Sequence, residues 1–122
     1  MKKIYELNDL LSELEERKGY FIDFVTTKSI QAGIIRLSPS QKDTQEPHPV
    51  DEIYYVIEGS GFIEINNKNH AIKERTSIFL PGGVEHRFHG NNQDIVIFYA
   101  LGNDISSDSG AAVDITKCWI RF

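Results

Sequence analysis

From Tyr20 onward the chain breaks into apolar runs of four to six residues, each closed by turn-forming residues, and this spacing most restricts what it can fold into. The runs are Tyr20 to Val25, Gly33 to Leu37, Ile53 to Ile57, Phe62 to Ile65, Ser77 to Leu80 and Ile95 to Ala100. Ser38-Pro39-Ser40, Asn66-Asn67-Lys68-Asn69 and Pro81-Gly82-Gly83 punctuate them. Runs this short and rich in β-branched and aromatic residues read as strands, and their regular spacing predicts a sandwich or barrel of antiparallel strands. Only the first segment reads as a helix. Leu7, Leu10, Leu11 and Leu14 fall at helical spacing, Asn8 is placed to cap the start, and Gly19 after Lys18 to end it. Residues 1–19 are therefore expected to lay a short helix across the outside of the barrel.

Two of the runs, Ile53 to Ile57 and Ile95 to Tyr99, are apolar on both faces. A small barrel buries only the inner face of a strand, so the outer face needs the helix, another sheet layer or another subunit. A homodimer is the simplest expectation. Residues 111–122, after the loop Asn103 to Gly110, are apolar enough for a terminal strand or docking arm. At 122 residues, without a linker or repeat, the chain is expected to form one domain over residues 1–122.

The charge balance excludes two classes of partner. A net charge of −5 and a pI near 5.3 leave no basic footprint for nucleic acid, and an anionic membrane surface would repel the chain. No run approaches the ~20 apolar residues a membrane helix needs, and the N-terminus lacks the apolar stretch of a signal peptide. Cys118 is the only cysteine and has no partner for an internal disulfide, so it reads as a small core residue in a reducing compartment. A cytoplasmic protein is the expectation.

The chemistry concentrates between Glu46 and His86. Two imidazoles and a carboxylate on one face of a metal form the set typical of non-haem Fe(II) oxygenases, and His48, His86 and Glu52 supply it. Glu46, two residues before His48, shares a face with it on an extended strand and is the candidate fourth donor. Gln45 points the other way unless a bulge exchanges the two. A second carboxylate would neutralise a divalent ion and weaken its hold on the pKa of bound water. Oxygen donors favour Fe(II) or Mn(II), with Zn(II) and Ni(II) also acceptable. His70, beside the hairpin signal Asn66 to Asn69, is expected at the surface, and His89 at the rim. Gly59-Ser60-Gly61 is a hairpin turn, with neither the glycines nor the following helix of a phosphate loop.

Placed end to end, these residues resemble the cupin family. Its first motif runs Gly, five residues, His-x-His, three or four residues, Glu, six residues, Gly. Its second runs Gly, five residues, Pro-x-Gly, two residues, His, three residues, Asn. His48, Glu52 and Gly59 match the first, and Pro81, Gly83 and His86 match the second. With the flanking strands the resemblance covers residues 30–101. Ser40, Glu46, Arg75 and Gly90 depart from the pattern, and Glu46 stands where the first metal-binding His would be.

The resemblance implies an all-β fold, a small antiparallel β-barrel or jelly roll with a short N-terminal helix. It also implies one divalent metal ion and a small-molecule substrate. Dioxygenases, isomerases, epimerases, decarboxylases and lyases all occur among such cupins, and dioxygenase chemistry is the first expectation. A ligand-binding or sensing module without turnover is the alternative. Strand parity from Glu52 and His86 turns Tyr54 and Phe88 inward, and Arg36 on an earlier strand is placed to pair with an acidic substrate.

Overall fold

The computed structural model of the chain describes residues 2–102. The expected terminal arm over 111–122, the preceding loop and Cys118 lie outside the described residues. Helix α1 (Leu7–Arg17) is followed by β1 (Phe21–Thr26), β2 (Ile30–Leu37), β3 (Glu52–Glu58), β4 (Gly61–Ile65), β5 (Lys68–Ile72), β6 (Ser77–Leu80), β7 (His86–His89) and β8 (Ile95–Gly102). The strands form a five-stranded sheet in the order β1-β2-β8-β3-β6 and a three-stranded sheet in the order β5-β4-β7, with antiparallel pairing throughout. One core cluster takes Tyr54, Val56 and Ile97 from the first sheet and Ile63, Ile72 and Phe88 from the second. The architecture is thus the expected small antiparallel jelly roll with an N-terminal helix.

Six strands correspond to the apolar runs, with ends that differ by a few residues. The other two, β5 and β7, are polar sequences, Lys68-Asn69-His70-Ala71-Ile72 and His86-Arg87-Phe88-His89, that are strands because they pair with either edge of β4. The β4–β5 turn is Asn66-Asn67, both in the left-handed region at φ 48° and 68°, the backbone a tight hairpin needs. At the start of α1 the cap position is Glu6 rather than Asn8, and no side-chain hydrogen bond caps it. At the other end Lys18 takes the left-handed conformation, φ 57°.

Cross-strand register sorts the large sheet into interior rows. Gln31, Leu101, Glu52 and Leu80 lie in one row across β2, β8, β3 and β6, and Gly33, Tyr99, Tyr54 and Ile78 in the next. The second row is possible only because residue 33 lacks a side chain. A Cβ there would collide with the Tyr99 hydroxyl and the Ile22 carbonyl, and through this gap Tyr99 hydrogen-bonds Asp23 on β1. The intervening residues Ile34 and Val96 face outward with Ile22 and are covered by Leu10 and Leu14 of α1. The helix therefore answers the double-faced apolar pattern for β8 and covers the outer face of β2 beside it. Among the described residues nothing covers the outer face of β3 and β6, where Ile53 is 47%, Tyr55 39% and Phe79 62% exposed.

Replacing Gly33 by Ala is expected to destabilise the fold by roughly 2–4 kcal/mol, as overpacking against backbone does. Gly19→Ala, whose Cβ meets nothing within 4 Å, is the control. Urea melts of both variants check this; equal midpoints contradict the gap.

Candidate metal centre

Three separate pieces of backbone deliver the candidate ligands. Glu52 is the first residue of β3 and His86 the first of β7, so the two come from opposite sheets at the same end of the fold. His48 comes from the irregular segment between β2 and β3. The Pro-x-Gly turn joins these pieces. The Gly83 N–H donates to the His48 carbonyl at 2.6 Å with φ +83°, and the Gly82 N–H donates to Asp51 Oδ1 at 2.9 Å. The spacing of the two motifs therefore has a mechanical meaning, since one turn pins the loop of the first histidine beside the strand of the second.

One potential donor atom from each of His48, Glu52 and His86 lies within 4.8 Å of the others, and all three residues are buried. Glu52 Oε1 is 3.5 Å from His48 Nε2 and 3.6 Å from His86 Nε2. His86 Nδ1 is 2.9 Å from the Val84 carbonyl, which can only accept, so Nδ1 carries the hydrogen and Nε2 turns a lone pair inward. Tyr54, buried as expected, places its hydroxyl 3.0 Å from that nitrogen and donates to Gln45 Oε1 at 3.0 Å. Phe88, also buried, packs edge-on against Tyr54 with ring centroids 4.9 Å apart.

Two sequence expectations are corrected. Glu46 is exposed, and the side chain turned inward is that of its neighbour Gln45, 8% exposed. The expected alternation fails because residues 38–51 form no strand. Pro39, Pro47 and Pro49 cannot donate to a ladder, and Asp43 takes the Gln45 N–H at 3.3 Å in a local turn. Arg36 lies on the outer face of β2, where it reaches Glu15 of α1 at 3.4 Å, away from the interior. His70 is exposed as expected, and His89 sits on the surface, stacked on Phe62 and 2.8 Å from Asn69 Oδ1.

Asp43 was not anticipated, although an Asp two residues before a buried amide is a legible turn signal. Its carboxylate accepts from Gln45 Nε2 and the Phe88 N–H, both at 2.8 Å, and from the Tyr20 hydroxyl at 3.4 Å. Burial raises its pKa, against the pull of those Gln45 and Phe88 hydrogen bonds.

Residues 33–101, more than half of the chain, match the cupin domain family. The chain belongs to the cupin family. An uncharacterised protein of Streptomyces coelicolor is 27% identical over 93 residues, covering 76% of this cupin and 89% of that protein. Acireductone dioxygenase 1 of Vitis vinifera is 32% identical over 92 residues, 70% of this cupin and 49% of the enzyme. This cupin thus spans about half the length of the acireductone dioxygenases it matches. Among solved structures, a Bacillus halodurans protein superposes with a TM-score of 0.65 at 16% identity, covering 82% of this cupin and 81% of that chain. Salicylate 1,2-dioxygenase from Pseudaminobacter salicylatoxidans superposes with a TM-score of 0.65 at 14% identity, covering 77% of this cupin and 32% of that enzyme. At these identities the superpositions speak for the fold.

The electrostatics of the cluster follow from its burial. Desolvation pushes Glu52 from its ordinary 4.5 up to about 8; the nearby Tyr54 hydroxyl opposes the shift and the Asp43 charge adds to it. Desolvation and the neighbouring His86 lower His48 from 6.5 to about 4. His86 is lowered too, by burial, against the Val84 hydrogen bond and the Asp43 charge. At neutral pH without metal the cluster is therefore uncharged, and the short His–Glu contacts are not ion pairs. Neither Glu52 oxygen accepts a hydrogen bond of good geometry, so a cation would meet a carboxylate with both oxygens available.

A pH prediction follows. Unfolded Glu52 ionises near 4.5, whereas folded Glu52 holds its proton to about 8, so its contribution to stability is full below 4.5 and lost as pH rises through 8. His48, lowered from 6.5 to about 4, acts in the opposite sense, losing its contribution as pH falls through that range. From pH 6.5 to 8 the Glu52 loss exceeds the residual opposing gain from His48 and His86, whose unfolded forms titrate at 6.5. Metal-free protein should lose roughly 1 kcal/mol across that window, at most ~1.4 kcal/mol per pH unit. Glu52→Gln should show no such loss, as denaturant melts at several pH values will test.

Proposed function

We propose that this cupin holds one divalent metal ion between His48, Glu52 and His86 and acts there on a small organic molecule, with dioxygenase chemistry as the first class. One observation carries the reading: two imidazoles and a carboxylate from three backbone segments bring donor atoms within 4.8 Å of one another in a buried site. That set resembles the facial arrangement of non-haem Fe(II) oxygenases, which leaves other coordination positions open. Fe(II) or Mn(II) suits the oxygen-containing donor set best, with Zn(II) and Ni(II) as alternatives. Similarity to acireductone dioxygenases of Vitis vinifera and Arabidopsis thaliana supports the class. Once bound, the ion would supply Lewis acidity and, for iron or manganese, one-electron chemistry.

The protein's own residues orient and select. The Val84 carbonyl holds His86 in the tautomer that turns Nε2 inward. Tyr54 stays a neutral phenol, since burial and the adjacent Glu52 raise its pKa, so it can donate a hydrogen bond to a substrate oxygen but carries no charge. Phe88 forms an apolar wall against Tyr54. A cleft of ≈ 270 Å³ lined by Gln45, Glu64, Asn66, His86 and Arg87 suits only a small molecule. Arg87, 2.9 Å from Glu64, takes the role first assigned to Arg36, as the cation beside that cleft.

The alternative, a binding or sensing module without turnover, draws support from Glu46, exposed at the place where the motif carries its first His. Isomerase, decarboxylase or lyase chemistry would use the same centre. Near-stoichiometric iron or manganese is expected in untagged native protein and should be lost in a His48→Ala, His86→Ala double variant. Metal in neither protein, even after anaerobic reconstitution, sinks the metalloenzyme. Loss of activity on chelation separates an enzyme from a sensor, which would show a ligand-induced stability shift alone.

We also propose a homodimer. Ile53 and Phe79 are cross-strand neighbours on the exposed face of β3 and β6, and Tyr55 adjoins them. A charge in that patch, Phe79→Lys, should convert a dimer to monomer in sedimentation velocity; an unchanged distribution removes this face from the interface.

A further inference from the structure

The interior end of Gln45 presents a problem of hydrogen accounting. Its side-chain Nε2 donates to Asp43 Oδ2 at 2.8 Å, which fixes the amide so that Oε1 points inward. There Oε1 lies 3.2 Å from His86 Nε2, the nitrogen left without a hydrogen when Nδ1 donates to Val84. Two lone-pair atoms at that separation repel. Glu52 Oε1, 3.6 Å from the same nitrogen, stands beyond hydrogen-bond distance, so the proton Glu52 holds does not relieve the contact. The hydrogen available to this group comes from the Tyr54 hydroxyl, 3.0 Å from both Gln45 Oε1 and His86 Nε2. One hydrogen cannot fully satisfy both converging acceptors. Rotating the amide would place its NH₂ near His86, but would set the carbonyl oxygen against the Asp43 carboxylate. A cation removes the conflict, because lone pairs that repel one another all point favourably at a positive charge.

Resting on the metal-centre reading, we propose that the Gln45 amide oxygen is the fourth protein donor and that Asp43 is the positioning residue that aims it. Its sequence neighbour Glu46 then takes no part, and the electrostatic consequence reverses the one expected from sequence. A divalent ion with one carboxylate and three neutral donors keeps a net charge of +1, whereas a second carboxylate would bring it to zero. The retained charge favours an anionic substrate group on the open face. It also leaves the ion a stronger Lewis acid than a site with two carboxylates.

The test uses Co(II) as the probe, loaded into full-length protein, with dissociation constants from chelator competition and visible absorption as the second readout. Removing a donor or the group that orients it weakens metal affinity by about 10- to 100-fold, so Gln45→Leu and Asp43→Asn should both fall in that range and alter the Co(II) bands. Glu46→Gln should stay within about twofold of wild type. Gln45→His, which restores a nitrogen donor at this place, should shift the bands to higher energy and tighten binding; it decides the matter if Gln45→Leu does not fold. Native affinity and superimposable spectra in Gln45→His, or a loss confined to Glu46→Gln, overturn the assignment while leaving the three-residue centre intact. Wild-type protein that takes up no Co(II) overturns the centre itself, and this inference with it.

Discussion

Burying the Glu52 carboxyl between two imidazoles is the constraint around which the rest of the structure is arranged. A carboxylate in an apolar interior is strongly disfavoured, and the shift of Glu52 toward its neutral form expresses that cost. The fold tolerates it because the surroundings are closely determined. Leu80 and Leu101 flank Glu52 in its interior row, Tyr54 and Phe88 pack edge-on in the same core, and the Pro81-Gly82-Gly83 turn hydrogen-bonds the His48 loop. A buried group of this kind weakens the fold on its own, and a cation bound beside it would offset that cost, coupling stability to occupancy through one side chain.

Polar interior groups and apolar exterior groups are two sides of the same accounting. Tyr99 reaches Asp23 through the gap left by Gly33, and Asp43 collects hydrogen bonds from Tyr20, Gln45 and Phe88, so these carboxylates are satisfied where Glu52 is not. Outside, the helix covers the apolar face of β2 and β8, and no described residue covers that of β3 and β6. The exposed Ile53, Tyr55 and Phe79 lie on the same sheet as Glu52, so association through that face would stiffen the strand that carries Glu52.

Much of this was legible because it depends on short-range regularities. Apolar runs bounded by turn residues marked six strands, leucine spacing marked the helix, and motif spacing marked His48, Glu52 and His86 as the residues to watch. The two missed strands, β5 and β7, have no such signal. They are polar sequences that become strands by pairing with β4, and their conformation is a property of their neighbours. Arg36 was misplaced for a related reason. Strand parity was counted from other strands, whereas register with β8 turns its side chain outward beside α1.

The residue beside His48 divides sequence from structure most clearly. Alternation on an extended strand favours Glu46, and that inference is sound only where a ladder of hydrogen bonds enforces the alternation. Between β2 and β3 three prolines and the Asp43 turn remove the ladder, so side-chain direction is set by which groups satisfy the Asp43 carboxylate, a matter of contacts with Phe88 and Tyr20 from distant parts of the chain. The sequence by itself determined the all-β class, the helix and the identity of the two histidines and one glutamate, because periodicity and spacing are local. Only the tertiary structure decided that Gln45 rather than Glu46 faces them, because that choice belongs to a hydrogen-bond network closed across the barrel.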